Sequence, residues 1–198
     1  LYVGCQEVSI PKPKSFLYLF FPKAEYEKID LEIPFKFEKN KIASLSKFEI
    51  KNKSKTFNLL YENFNAEINL SYSTLKNNFE IYVNEAEFIT NRHEKLANEL
   101  SKVAYENSEK RVYANLYELT GPVASQCQFY ATDSVNHFLS GALYFKIKPN
   151  YDSIMPVVKY LKNDIERLIE SLEWKYQDWS EFHPCLLYTS DAADDWSG

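Results

Sequence analysis

The chain holds 198 residues, of which 45% are apolar, 26% charged and 16% aromatic. That length suits one domain, and the aromatic content can fill a core, so disordered, linker-like and collagen-like classes are excluded. A formal net charge of −5 lacks the basic excess of a nucleic-acid binder, and no apolar run is long enough to span a bilayer as a helix.

The chain opens Leu1-Tyr2-Val3-Gly4-Cys5-Gln6. A small residue directly before Cys, with apolar residues ahead of it, resembles the end of a bacterial lipobox. On that reading residues 1–4 are the remnant of a lipoprotein signal peptide. Cys5 is then the lipid-attachment residue, its thiol and freed amine carrying acyl chains. One acyl chain holds a protein at a membrane only marginally, whereas several hold it firmly. Gln6 to Lys14 is polar and contains Pro11 and Pro13, which favour an extended, semi-rigid spacer. Residues 5–14 therefore read as anchor and tether, and residues 15–184 as one folded body.

Within the body, Ser15 to Phe21 is aromatic and β-prone until Pro22. Leu31 to Glu38 alternates Ile33, Phe35 and Phe37 with polar positions, the period of a half-buried strand. Ala43 to Ile50 predicts a further strand, followed by the polar turn Lys51-Asn52-Lys53-Ser54. Thr56 to Tyr61 and Ala66 to Tyr72 predict two more. In the latter, Ala66, Ile68, Leu70 and Tyr72 point one way, and Glu67, Asn69 and Ser71 the other. Ile89, His93, Leu96, Leu100 and Val103 then recur at spacings of three and four, predicting an amphipathic helix over residues 84–104. His93 on that stripe reads as a boundary histidine, since no second ligand type falls in phase beside it.

Three strands follow, Lys110 to Leu119, Val123 to Ala131 and Asn136 to Lys148. Thr120-Gly121-Pro122 and Thr132-Asp133-Ser134 separate them, the pattern of an antiparallel meander. Asp152 to Trp174 predicts a final helix with one apolar stripe. Asp152 or Ser153 caps it, and Pro156 falls in its first turn. The stretch Cys185 to Asp195 resembles one reading frame of a sequencing adapter, and residues 185–198 are set apart as a non-native tail. Without the three aspartates of that tail, the net charge of −5 becomes −2. About eight strands and two long helices give an α+β fold: a single domain with a central antiparallel β-sheet flanked by helices.

Little in the sequence points to catalysis. With Cys5 lipidated and Cys185 in the tail, only Cys127 remains, and its alternating apolar surroundings suit a small buried hydrophobe. Asp133, Ser134 and His137 supply the three residue types of a hydrolase triad within five positions. Triads are assembled from distant segments, however, and Asp and Ser between two strands ordinarily bond their own backbone in a turn. No glycine-rich phosphate loop and no zinc-type pairing of Cys or His occurs. Glu85, Glu87 and Glu94 read as a solvated helix face. No catalytic residue, cofactor or metal is therefore expected.

Several stretches carry a family resemblance. Thr132-Asp133-Ser134-Val135-Asn136-His137-Phe138-Leu139-Ser140-Gly141-Ala142-Leu143-Tyr144-Phe145 resembles the most distinctive segment of the gliding-motility lipoprotein GldD family of Bacteroidetes. Pro11-Lys12-Pro13-Lys14, Ile33-Pro34-Phe35-Lys36-Phe37, Ala66 to Tyr72 and Pro149 to Ser153 resemble other parts of that family. The resemblance implies a lipid-anchored, periplasm-facing accessory protein of the gliding and type IX protein secretion machinery. Its partners would be other motility lipoproteins or secretion-complex subunits, its membrane contact the N-terminal acyl chains, and it would bind no nucleic acid. The order of elements is also similar to the PsbP-like fold. Two other functions stay open: a small-ligand-binding envelope lipoprotein, and a hydrolase using Ser134 and His137.

Overall fold

The computed structural model describes residues 20–51, 54–94, 97–146 and 151–175. Cys5, the tether and the C-terminal tail lie outside the described residues.

The larger sheet is antiparallel throughout. Its strands are β3 (Ser44–Leu45), β4 (Glu49–Lys51), β5 (Ser54–Tyr61), β6 (Ala66–Thr74), β7 (Glu99–Asn107), β8 (Val112–Thr120), β9 (Cys127–Thr132) and β10 (His137–Phe145). The spatial order is β3-β5-β6-β10-β9-β8-β7, with β4 pairing β5 at the far edge. A second, three-stranded sheet has the order β1 (Tyr26–Ile29), β2 (Phe35–Asn40), β11 (Glu173–Trp174). Helix α1 covers Phe79–Glu94 and α2 covers Tyr151–Ser171. The expected α+β architecture, an antiparallel sheet with helices on its faces, is what the chain adopts.

Strand alternation divides the large sheet into two unlike faces. On one face Phe57, Leu59, Ile68, Leu70, Leu116, Leu139 and Leu143 are buried. They form one core with Phe35, Phe37 and Trp174 of the small sheet and with the stripe of α2, including Val158, Leu161, Ile165 and Leu168. On the other face Leu119, Tyr130 and Phe138 join Phe79, Tyr82, Val83 and Ala86 of α1 in a second, smaller core. Gly141 permits the layers of the first core to close. A Cβ there would run into the ring of Phe129 and stand 2.9 Å from Leu70 Cδ2.

Four predicted elements differ. The strand predicted over Ala43 to Ile50 is split into β3 and β4, which pair separately with the two ends of β5. The predicted helix 84–104 is instead α1 followed by β7. Helix α1 begins five residues earlier, and Leu100 and Val103 lie in a strand. Their spacing is compatible with both structures, and nine residues of pairing with β8, from Glu99↔Thr120 to Asn107↔Val112, decide for the strand. The predicted last helix stops at Ser171, where the Ser171 hydroxyl donates to the Arg167 carbonyl at 2.7 Å and accepts the Glu38 amide at 2.8 Å. Glu173 and Trp174 then leave the helix and pair with β2 through Trp174↔Phe35. Pro156 sits in the second turn of α2, not the first, on an exposed position. The buried stripe on either side of it, from Ile154 to Leu161, offsets the lost backbone bond. The β-prone stretch 15–21 lies mostly outside the described residues; Phe20 and Phe21 are in no strand. Phe21 instead packs against Phe64 and Tyr160, with ring centres 5.6 and 5.3 Å away.

Candidate functional site

Among the described residues, polar side chains gather at the β9–β10 loop, on the exposed half of the sheet face beside α1, and around the buried Asp164 of α2, whose carboxylate accepts the Tyr26 hydroxyl at 2.8 Å and Asn40 Nδ2 at 3.1 Å in a closed structural cluster.

The loop holds the residues that resemble a triad. Asp133 is 1% exposed, and its Oδ1 accepts the backbone amides of Val135, Asn136 and His137 at 3.0, 2.8 and 2.8 Å. Burial by itself would raise the Asp133 pKa. Those three amides outweigh it and hold the carboxyl below its ordinary value. Thr132 closes the other side: its hydroxyl donates to the His137 carbonyl at 2.7 Å and accepts the Ser134 amide at 2.8 Å. Ser134 takes a left-handed φ of 68° at the tip and is exposed.

His137 points inward. Its ring lies flat on the indole of Trp174, with centres 5.0 Å apart and 5° between planes, and its Nδ1 is 2.8 Å from the Tyr72 hydroxyl. Burial pushes the imidazole pKa down, against the pull of Asp133. Asp133 thus grips the main-chain amide of His137 while the ring is engaged by Tyr72 and Trp174. A triad needs the carboxylate to orient the ring and the ring to reach the hydroxyl. The loop is instead wired as a turn, anchored to the small sheet through Trp174.

Cys127 is fully buried on β9, and loss of solvation, with Glu118 nearby, pushes its thiol up to about 12. That is the opposite of what a nucleophilic thiolate requires. The side chain of His93 is not among those described. Among the described residues no three His, Cys, Asp or Glu side chains converge as a metal site would.

The second place is a half-open groove of about 500 Å³ between α1 and the sheet. Helix α1 covers only the β8–β9–β10 side of its face, so β5, β6 and the middle of β10 remain as an open floor. Register places Thr56 beside Ser71, Ser71 beside Ser140, and Ser140 beside Tyr130 in one row across four strands. The adjacent row runs Asn58, Asn69, Ala142, Gln128. Asn69 Nδ2 donates to Asn58 Oδ1 at 2.8 Å. At the rim are Tyr144, 36% exposed, and Tyr82, Ile81 and Glu85 of α1. The sequence marks none of these positions as a site: Glu85 reads as a solvated helix face, and Asn69 and Ser71 only as the outward side of a strand. The outward period of β6 was visible, but only the register brings Thr56, Ser71 and Ser140 into line.

Among the described residues no helix is long and apolar enough to cross a membrane. No curated protein matches the chain. A family model described as gliding motility lipoprotein GldD matches residues 6–174, opening directly after Cys5 and closing at Trp174 on β11. The chain belongs to that family of gliding-motility lipoproteins.

Proposed function

We propose that the protein is a lipid-anchored, non-enzymatic accessory subunit that supports assembly or stability of the gliding-motility and type IX protein secretion machinery. Cys5 carries the acyl anchor, residues 6–14 space the body from the membrane, and the α+β domain faces the periplasm. It contacts other motility lipoproteins or secretion-complex subunits there. The family match over residues 6–174 carries this reading. The chemistry of the body agrees with it: Asp133, Thr132 and His137 are committed to holding a loop, and the one described thiol is buried. An exposed apolar side chain that a partner could cover is Ile81 on α1.

The test is fractionation of the lipoprotein expressed in a gliding host with Cys5→Ala. The variant protein is expected in the soluble fraction with unchanged thermal unfolding, and cells carrying it are expected to lose gliding. Retention of the variant in membranes at the parent level contradicts the anchor. A second reading, a ligand-binding envelope lipoprotein, is favoured by the groove beside α1.

A further inference from the structure

We infer that the groove beside α1 binds a neutral saccharide; this rests on the ligand-binding reading and not on the anchor. The described lining discriminates between ligand classes. Of its side chains only Glu85 is charged. An anion would find no cation there and would meet a carboxylate at the rim. A cation would find a single carboxylate, exposed to water, which is worth little. An apolar ligand would strip water from the hydroxyls of Thr56, Ser71 and Ser140 without replacing its hydrogen bonds, a cost of about 1–3 kcal/mol for each group by protein mutational data. Pockets for apolar ligands are lined mostly by aliphatic and aromatic side chains with few polar groups. Here about half of the lining residues are polar, and the hydroxyls and amides are concentrated on the floor.

A sugar ring satisfies the geometry. Its hydroxyls both donate and accept, as do those of Ser and Thr, so each water displaced is replaced by an equivalent partner. The floor hydroxyls stand on neighbouring strands, about 4.8 Å apart, close enough for vicinal hydroxyls of one ring to reach two of them. The Ser140 hydroxyl reaches the Ser71 carbonyl only at 3.5 Å, the outer limit of a bond, and is free to turn to a ligand. The apolar face of a sugar also needs a flat surface. Tyr144 offers one at the rim, and the Tyr82 ring is held against Phe138, centres 5.3 Å apart. The groove measures about 500 Å³ and is half open to solvent, so an internal segment of a longer glycan can enter.

Isothermal titration of the intact protein tests this with four probes: N-acetylglucosamine tetramer, cellotetraose, a sulfated counterpart of the latter, and tetraglycine. At least one neutral tetrasaccharide is expected to bind at one site, with the sulfated one at least about tenfold weaker. Tyr144→Ala is expected to weaken binding about tenfold by removing the stacking face. Ala142→Trp is expected to abolish it by filling the floor between Ser140 and Tyr144. Thermal unfolding of both variants confirms that they are folded. Equal binding of the sulfated and neutral sugars, or affinity unmoved by a folded Ala142→Trp, overturns the inference. Binding of tetraglycine alone overturns the saccharide while keeping a ligand site. Silence from all four probes removes the saccharide and the ligand-binding reading together.

Discussion

Asp133 is the residue on which the β9–β10 connection depends. One oxygen satisfies three main-chain amides, that of His137 buried, and charge-assisted bonds of this kind are about twice as strong as neutral ones. Asp133→Ala is therefore expected to cost about 3 kcal/mol in denaturant unfolding. Ser134→Ala, one residue away but exposed at the tip, is expected to stay within about 0.5 kcal/mol of the parent. Equal costs at the two positions would contradict the assignment of the loop to structure.

His137 gives the loop a pH dependence of definite sign. Its folded pKa lies below the unfolded value of about 6.5. Between the two values the unfolded chain holds a proton that the folded one does not. The stability due to neutral His137 is therefore fully present above about pH 6.5 and is lost as pH falls through that value toward the folded pKa. A proton NMR titration of the ring is expected to place its midpoint below that of a histidine in an unfolded peptide. In His137→Gln, the decline in melting temperature over this window is expected to flatten. A midpoint above the peptide value would contradict the buried, stacked ring.

At the scale of elements, β10 is the centre of the large sheet, and Gly141 its tightest point. Phe129 occupies the volume that a side chain at 141 would need, with Leu70 on the other flank. Gly141→Ala is expected to cost about 1–3 kcal/mol, the usual range for overpacking a filled core. Guanidinium unfolding measures it, and a neutral result would mean that β9 and β6 stand farther apart than they are placed here. The same scale shows what could be read from the sequence. Strands β5, β6, β8 and β10 were legible because each has a buried and a more solvated side, so the period of two shows; β9 is buried along its whole length and was legible from its apolar residues and the turn that follows it. Strand β7 was not: it is an edge strand with few buried side chains, and Leu100 and Val103 continue the helical spacing of α1. Strands β1 and β11 are four and two residues long, too short for any period, and exist because β2 supplies their partner.

For the whole molecule, the two faces of one sheet have different tasks. One is sealed by α2 and the small sheet into the main core. The other is only partly roofed by α1, and its open part carries hydroxyls and amides where a simple solvent face would tolerate charge. The family resemblance was legible because the β9–β10 loop is held by side chains of fixed chemistry, Asp133, Thr132 and His137. The groove was hidden because Ser, Thr and Asn at outward positions look alike in sequence, and only their alignment across β5, β6 and β10 makes a surface. The central claim is that this body works as a tethered subunit of the motility apparatus. Intact mass spectrometry of the protein extracted from the membranes of its own cells tests that most directly. The account predicts a polypeptide beginning at Cys5 and heavier than its sequence by the mass of its acyl chains; a polypeptide with an unmodified Cys5 would contradict it.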